Sequence, residues 1–278
     1  MLPNVKNYYR PTEISEAVQL LSSDSERNVV LGGGTQLALS QAPGIDGLVD
    51  LRNLGLDHIR TEKNSIVLGS RCRPTDAIRY EGLAQIADGI VARAASNYLA
   101  EVQRNRASLG GILISASSWA DIATALLAVG GEVVIVGPAG EKTLSIDQFF
   151  TTGPAKAAQR SIIKELRVPS GGCGAYLRVA RTETDISIVD VAVRLDLVGN
   201  SISHARVAVG GVASLPIRLD AVEKNLVDNK LSADLVGIAT REINVEAASD
   251  FRASGEYRNE LTKVLARRCL LDLVARAR

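Results

Sequence analysis

The chain has 278 residues, of which 46% are hydrophobic and 23% are charged. This balance is typical of a folded globular protein rather than a disordered or fibrous one, and the length predicts two domains, each with its own core. The formal net charge is only +1, from 32 basic and 31 acidic residues. Because binding of nucleic acid or of an anionic membrane surface requires a basic field, we expect neither kind of partner.

The sequence also argues against insertion into a membrane. It contains no run of about 18 apolar residues, the length that a helix needs to cross a bilayer. Pro3, Lys6, Arg10, Pro11 and Glu13 occupy the region where a signal peptide would have its apolar stretch. We therefore expect a cytoplasmic location.

The few cysteines and histidines are widely separated. Cys72, Cys173 and Cys269 form no C-x-x-C motif, and His58 and His204 are isolated from each other. Disulfide frameworks, zinc sites and iron–sulfur clusters need several such residues close together. The sequence thus predicts no metal site and no Ser-His-Asp triad in this chain.

In the first half of the chain, short helices and strands alternate. Pro11 and Thr12 open a helix whose apolar residues, Ile14, Ala17, Val18 and Leu21, recur at helical spacing. Further predicted elements are strands at 29–31, 47–51, 65–70 and 131–138, a helical region at 74–103, a loop at 103–111, a buried helix at 119–129 and a turn at 138–140.

The segment 168–174, "VPSGGCG", interrupts two periodic regions and predicts a domain border. We expect domains at 1–170, with subdomains of about 1–57 and 58–170, and at 171–278. In the second domain, residues 189–197 alternate between an apolar face and a face with Asp190, Arg194 and Asp196, and Gly199–Asn200 predicts a hairpin. A final helix is predicted to be apolar along Tyr257, Leu261, Val264 and Leu265.

The first candidate binding segment is Gly32-Gly33-Gly34-Thr35-Gln36, directly after a predicted strand. Glycines allow the backbone to approach a ligand closely and to direct several N–H groups at a pyrophosphate. The same glycines also fit a simple tight turn.

A Rossmann dinucleotide site is the obvious alternative, because Asp50 lies where its ribose-binding acid is expected. However, Leu37 replaces the third glycine of that motif. Residues 36–42, which separate the glycines from Pro43-Gly44, are too few for a crossover helix. We therefore reject the Rossmann alternative.

The second candidate is residues 105–121, "NRASLGGILISASSWAD". Its small residues would admit a bulky cofactor, its hydroxyls can bind phosphate or ring oxygens, and Asp121 can accept a hydrogen bond from a ribose. Alternatively, Ser118 or Asp121 only caps the following helix.

Five segments together resemble the FAD-binding medium subunit of molybdenum hydroxylases, the family that includes the middle subunit of carbon monoxide dehydrogenase and the flavin domain of xanthine dehydrogenase. In chain order they are "VLGGGTQL", "QRNRASLGGILISASSWADIATALLAVGGEV", "YLRVARTETDISIVDVAV", "VGGVASLPIRL" and "DFRASGEYRNELTKVLARR". The resemblance implies an α+β protein with a vanillyl-alcohol-oxidase (PCMH) type FAD-binding fold of two subdomains, followed by a C-terminal domain of antiparallel sheet and helices.

The resemblance also implies which residues bind FAD. The first loop corresponds to Leu31, Gly32, Gly33, Gly34, Thr35, Gln36 and Leu37, and the second to Ser108, Leu109, Gly110, Gly111, Ile114 and Ser115, with Asp121 toward the ribose. Tyr98 lies near the family's flavin-stacking aromatic, although a core tyrosine explains it equally well, and Leu166 and Arg178 would border the flavin. We expect a bulky residue at Gly33 or Gly111 to abolish FAD retention with little loss of folding.

Two positions depart from the family pattern. Ile112 replaces the asparagine that usually follows the paired glycines, which removes an amide that could support FAD binding. Ser118 and Trp119 replace the usual proline context.

By this resemblance, the chain carries FAD and relays electrons in a molybdenum hydroxylase or dehydrogenase. Its expected partners are an iron–sulfur small subunit, a molybdopterin large subunit and a soluble electron acceptor, for which NAD is one candidate. The complex would act on a small heterocycle, aldehyde, acyl-CoA or carbon monoxide. Two alternatives stay open: a flavin-free scaffold subunit, and a stand-alone FAD oxidoreductase of the same fold.

Overall fold

The computed structural model describes residues 5–39, 44–115 and 121–277. Its strands are β1 (Asn7–Tyr9), β2 (Asn28–Leu31), β3 (Gly47–Asp50), β4 (Ile59–Glu62), β5 (Ser65–Gly69), β6 (Glu132–Gly137), β7 (Gly140–Ser145), β8 (Ile162–Pro169), β9 (Cys173–Val179), β10 (Val189–Val198), β11 (Ser201–Gly210) and β12 (Ile217–Arg218).

The helices are α1 (Ile14–Leu21), α2 (Pro74–Arg79), α3 (Glu81–Gln85), α4 (Ile90–Ser96), α5 (Glu101–Arg104), α6 (Leu109–Ser115), α7 (Asp121–Val129), α8 (Ile146–Thr152), α9 (Pro154–Ala157), α10 (Asp220–Leu226), α11 (Ala233–Thr240) and α12 (Gly255–Arg276). Short 3-10 turns lie at Leu51–Asn53 and Ile86–Gly89. Among the described helices, none is both long and apolar enough to cross a bilayer.

The chain forms two compact units that do not follow chain order. Unit 1 takes its residues from 1–76, 101–115 and 132–168, and unit 2 from 77–100, 116–131 and 169–278. All residues that follow Val168, from 169 to 278, belong to unit 2. The predicted subdomain border near residue 57 stays a prediction.

Unit 1 contains two sheets. β1, β3 and β2 pair in parallel in that order, and β4, β5, β8, β6 and β7 form the second sheet. The buried side of α1, with Ala17 and Val18, joins a small apolar cluster with Val49 of β3 and Ile162 of β8. The predicted helix at Ile14–Leu21 and the strand before the glycines are therefore confirmed. In the described part of the β2–β3 connection there is no α-helix.

Unit 2 is built on an antiparallel sheet with the strand order β12-β11-β10-β9. Val191, Val193 and Leu195 of β10 pack in one apolar cluster with Leu265 and Cys269 of α12. The predicted hairpin is confirmed, because Val198 of β10 pairs with Ser201 of β11 across Gly199–Asn200.

The opposite face of β10 carries polar residues, but it is covered as well. Asp190 and Arg194 are buried in spite of their charge. The Nη1 atom of Arg194 donates to the main-chain oxygen of Val129, at the end of α7, at 2.9 Å. Every residue of α7 is buried, which confirms the prediction of a buried helix. Trp119 and Ala120, which we assigned to its start, lie outside the described residues.

The region predicted as helical at 74–103 is broken into four short helices, and this prediction was wrong as a continuous element. Ala87, Asp88 and Gly89 all have left-handed backbone angles, with φ of 44°, 52° and 77°, and the Ala87 amide donates to the main-chain oxygen of Gly171 outside the helices. The loop predicted at 103–111 is also partly helical, since Leu109 to Gly111 lie in the first turn of α6.

The apolar face predicted for α12 was only partly correct: Leu265 is buried in the apolar cluster of unit 2 and Leu261 packs against it. Tyr257 and Val264 are exposed, whereas Arg258 is buried. The Arg258 guanidinium donates to the main-chain oxygens of Ile188 and Gly211, at 2.5 and 2.8 Å, and to Asp250 at 2.7 Å. Because both terminal nitrogens of its guanidinium are paired, a long arginine can occupy a buried position that the apolar pattern does not reveal.

Candidate functional site

The first glycine loop borders an open cleft in unit 1. Its wall follows the end of β2, and the opposite wall comes from α5 and the residues after it. The cleft has a volume of about 680 Å³. Its lining residues are Leu31, Gly32, Gly33, Gly34, Thr35, Ala38, Asp50, Arg52, Arg71, Arg73, Val102, Gln103, Asn105, Arg106 and Ser108.

The hydroxyl group of Ser108 joins the two glycine segments that the sequence singled out. Its Oγ atom accepts hydrogen bonds from the amides of Gly33 at 3.2 Å and Gly111 at 3.3 Å. A Cβ atom on Gly32 would lie 2.5 Å from the same oxygen, and one on Gly33 would lie 2.1 Å from the carbonyl oxygen of Arg106. Glycine is therefore required here by the close approach of two backbone segments.

The amides of the second glycine segment are already used within the protein. The Leu109 amide donates to the carbonyl oxygen of Cys72 and the Gly110 amide to that of Ser70, both at 2.8 Å. With the Gly111 amide on Ser108, the Leu109, Gly110 and Gly111 amides all donate to protein oxygens, so they offer no free N–H group to a phosphate.

Arginines supply the positive charge of the cleft instead. Arg52, Arg71, Arg73 and Arg106 line it, and Asp50 is the only acidic residue among the described lining residues. An arginine guanidinium binds phosphate with charge-assisted, often paired hydrogen bonds. The sequence analysis did not identify these four arginines. Each of them follows a strand or lies in the loop before Ser108, and this placement is the signal that could have indicated them.

Asp50 holds one side of this arginine cluster in place. Its carboxylate accepts from the Arg52 amide at 2.9 Å, from Arg52 Nε at 2.6 Å and from the hydroxyl of Tyr8. Burial opposes ionisation of Asp50, but the hydrogen bonds from Tyr8 and Arg52 outweigh it and lower the pKa of this carboxyl group. Asp50 is thus a carboxylate that fixes a cation at the edge of the cleft.

Arg71 has unused capacity to bind an anion. Its Nη1 atom is buried, and no acceptor among the described residues lies within hydrogen-bond distance of it. The nearest carboxylate oxygen, on Asp50, is 3.9 Å away. A buried donor without an acceptor is costly, so this guanidinium fits a site for an anionic group.

Three other predicted residues lie in unit 2. Arg178 Nη1 donates to the main-chain oxygens of Asn97 and Asp185, at 3.1 and 3.0 Å, and lies 3.4 Å from the carboxylate of Asp121. The hydroxyl of Ser187 donates to Asp121 at 2.6 Å. Tyr98, next to Asn97, is buried. Both Asp121 oxygens and the Arg178 guanidinium therefore have partners inside unit 2.

A second buried carboxyl group, Asp190, lies close to Asp121. Neither of its oxygens has a hydrogen-bond partner among the described residues, and the same holds for the side-chain oxygens of Tyr176 and Thr124. Burial raises the pKa of Asp190 well above its ordinary value, and the negative charge of Asp121 adds to this effect. Arg178 is the cation among the described residues that partly offsets both carboxyl groups, and the raised pKa favours the protonated form of Asp190.

The remaining predicted residues of unit 1 are not among those that line the cleft. Leu109, Gly110 and Leu166 are buried, whereas Gln36, Ile114 and Ser115 are exposed. Leu37 is partly buried in the turn that follows Thr35.

Ile112, the departure from the family pattern, is 2% exposed and does not line the cleft. An apolar residue suits this interior position. Ser118 and Trp119, the other departure, lie outside the described residues.

Comparison with known families agrees with the resemblance. A family model described as the FAD binding domain in molybdopterin dehydrogenase matches residues 3–171, which is more than half of the chain. The chain belongs to this family. A second model, the CO dehydrogenase flavoprotein C-terminal domain, matches residues 174–273 of this FAD-binding protein.

Similar proteins extend over nearly the whole FAD-binding chain. The glyceraldehyde dehydrogenase medium chain of Sulfolobus acidocaldarius is 25% identical over 98% of this chain and 100% of the relative. The nicotine 6-hydroxylase medium subunit of Paenarthrobacter nicotinovorans is 29% identical over 99% of each chain. A carbon monoxide dehydrogenase structure from Hydrogenophaga pseudoflava, which lacks the Mo-pyranopterin moiety of its cofactor, superposes with a TM-score of 0.88 at 27% identity and 99% coverage of both chains.

These findings confirm the predicted family, FAD as its cofactor, and the α+β fold with a FAD-binding part and a C-terminal domain. They also confirm that the chain is a relative of oxidoreductase subunits. The individual FAD-binding residues stay predictions.

Replacing Asp190 by asparagine tests whether its carboxyl group is neutral. The pKa of Asp190 is about 3.9 in the unfolded protein and higher in the folded one. At pH values between these two pKa values, the folded protein binds one more proton than the unfolded protein, so its free energy of unfolding falls as the pH rises. We expect the free energy of unfolding of Asp190→Asn, relative to that of the wild type, to increase by up to about 1.4 kcal/mol per pH unit from pH 5 upward.

Urea unfolding at several pH values measures this difference. Asp220→Asn is the control, because the Asp220 side chain is 71% exposed. A variant that is equally destabilised at pH 5 and pH 8 would show that Asp190 is ionised in the folded protein.

Replacing Asp50 by asparagine should have the opposite pH dependence. Because the folded-state pKa is lowered, the carboxylate stabilises the protein fully above the unfolded-state pKa of about 3.9, and this contribution is lost as the pH falls through the folded-state pKa. We expect a loss of about 2 kcal/mol at pH 7, since charge-assisted hydrogen bonds to Tyr8 and Arg52 are removed.

The loss should shrink only below about pH 4, and urea unfolding from pH 7 to pH 3 follows it. Asp24→Asn serves as the control, since the Asp24 side chain is 85% exposed. A loss that is unchanged at pH 3 would contradict the assignment of Asp50 as a stabilising carboxylate.

Proposed function

We propose that this chain is the FAD-carrying electron-transfer subunit of a molybdenum-containing hydroxylase or dehydrogenase. It takes electrons from the iron–sulfur clusters of a small partner subunit and passes them to a soluble acceptor, for which NAD is one candidate. The molybdopterin site belongs to a large partner subunit, and the complex acts in the cytoplasm. Family membership and the similarity to medium chains of dehydrogenases support this proposal.

The observation that carries the proposal is the match between the unit 1 cleft and the diphosphate of FAD. The cleft combines a glycine loop, which removes side-chain bulk, with four arginines. Arg71 contributes a buried N–H donor without a partner in the described chain. These features suit a group that carries two negative charges and many acceptor oxygens.

Each residue type has a separate task in this assignment. Arg71 binds a phosphate oxygen, while Asp50 orients Arg52 at the rim. Ser108 acts as a positioning residue, because it fixes the Gly33 and Gly111 segments rather than offering its oxygen as a free acceptor. FAD, when bound, supplies the ability to accept electrons one at a time and release them in pairs. The assignment of Tyr98, Asp121 and Arg178 to FAD rests on the resemblance alone.

Replacing Arg71 by glutamine should weaken FAD binding. Loss of a charged hydrogen-bond donor costs about 1.5–3 kcal/mol, which corresponds to roughly a tenfold to hundredfold higher Kd. Fluorescence titration of the flavin-depleted protein with FAD measures the Kd. Arg160→Gln is the control, because Arg160 is an exposed arginine of unit 1 outside the cleft lining and loses the same charge.

An equal Kd for Arg71→Gln and Arg160→Gln would show that the diphosphate does not lie on Arg71. A wild-type chain that never takes up FAD would favour a scaffold role. Turnover of a donor by the isolated chain would favour a stand-alone oxidoreductase. Wild-type FAD uptake without such turnover is the result expected of an electron-transfer subunit.

The two glycines on Ser108 should respond differently to substitution. A Cβ on Gly33 meets backbone atoms of residues 106–108, whereas one on Gly111 meets only the Ser108 oxygen, at 2.9 Å. The structure thus revises our expectation for Gly33. We expect Gly33→Ala to lower the melting temperature by several degrees, and Gly111→Ala to lower it less because the hydroxyl can turn away.

Thermal unfolding monitored by circular dichroism, together with the bound-flavin ratio, distinguishes the two variants. Equal losses of stability would contradict the backbone packing described for Gly33. Gly237→Ala controls for the general effect of alanine at a helical glycine such as Gly111, since nothing lies within 4 Å of its added Cβ.

A further inference from the structure

A groove in unit 2 lies between α11 and α12, and the proposed electron transfer does not use it. It has a volume of about 600 Å³. The side chains that define its character are Asp234, Ile238 and Arg241 from α11 and its end, and Lys263, Val264 and Arg267 from α12. On each helix these residues recur at intervals of three or four, so they form one continuous face.

The floor of the groove is apolar and incompletely covered. Ile238 is 62% exposed and Val264 is 40% exposed. Val264 belongs to the apolar stripe that the sequence predicted for α12, yet the fold of this chain leaves it in solvent. Gly237 also lines the groove, and an added Cβ there would have no atom within 4 Å. The groove thus offers apolar surface and space for an incoming side chain.

The rim of the groove is positively charged. Arg241, Lys263 and Arg267 face only one lining carboxylate, Asp234. Glu260 lies 2.7 Å from Lys263, but its side chain is 64% exposed, so this ion pair is weak. The whole chain has a net charge of only +1, so the groove concentrates positive charge locally.

We propose that this groove docks an acidic segment of another subunit, with an apolar side chain placed over Gly237 and carboxylates facing Arg241 and Arg267. This inference rests on the proposed function, which places the chain in a multi-subunit complex. The exposed isoleucine and valine favour a peptide segment over a small inorganic anion, because an anion would leave them uncovered. A second copy of this chain is disfavoured, since facing grooves would bring like charges together.

Charge reversal at one rim position tests the proposal in the purified complex. Arg267→Glu places a negative charge on the groove, whereas Arg268→Glu makes the same change at the next residue of α12, which is exposed and does not line the groove. We expect Arg267→Glu to raise the Kd of the chain for its co-expressed partner subunits at least tenfold in 50 mM salt, and Arg268→Glu to change it less than threefold. The Arg267 effect should decrease with added salt.

Zero-length cross-linking identifies the occupant. A carbodiimide joins the amine of Lys263 to a carboxylate in contact with it, and mass spectrometry of the digested complex finds the linked peptide. The proposal requires a link from Lys263 to an Asp or Glu of a different subunit. In a mixture of ¹⁴N- and ¹⁵N-labelled chain, a link between two copies would identify self-association and overturn the proposal.

The outcomes separate this inference from the function on which it rests. If the complex forms, but Lys263 links only to Glu260 of its own chain and Arg267→Glu behaves like Arg268→Glu, the docking proposal fails and the proposed function stands. If the chain purifies without partner subunits under all salt conditions, both proposals fail.

Discussion

The hydrogen bonds to Ser108 are the constraint on which the cleft of unit 1 depends. One hydroxyl oxygen accepts from Gly33, after β2, and from Gly111, in the first turn of α6. The two backbones approach so closely that neither Gly32 nor Gly33 has room for a side chain. The glycines therefore shape the cleft by allowing contact between protein segments. Their conformational freedom matters at Gly34, whose φ of +75° turns the chain along the cleft wall.

This arrangement changes how the cleft can bind an anion. The amides of Leu109, Gly110 and Gly111 already donate to protein oxygens, so main-chain dipoles of that segment have little left to offer a phosphate. Positive side chains take over this role. Asp50 supports this anion-binding role, because its carboxylate offsets part of the mutual repulsion among the arginines of the cleft. Asp50 lies 3.9 Å from Nη1 of Arg71, so this donor has no hydrogen-bond partner among the described residues.

The sequence was sufficient where local patterns decide the structure. The spacing of Ile14, Ala17 and Val18 gave α1, and strict alternation gave β10 and its hairpin to β11. It was insufficient where distant segments meet. The cleft arginines come from residues 52, 71, 73 and 106, and no periodicity links them. The left-handed backbone at Ala87 also has no signal in residue type; distant contacts accompany it there, since the Ala87 amide donates to the Gly171 oxygen and the Asp88 carboxylate accepts from the Gly174 amide of β9.

Unit 2 shows that buried charge, as well as apolar packing, determines how its helices sit on the sheet. Arg194 and Arg206 donate to the last carbonyl groups of α7, and Arg258 of α12 donates to the ends of strands. Such contacts are directional, so they fix a helix in rotation and along its axis, which apolar contacts do less strictly. The same polar interior contains two carboxyl groups beside Arg178: its guanidinium balances the charge of Asp121, while burial and the charge of Asp121 raise the pKa of Asp190 and favour its protonated form.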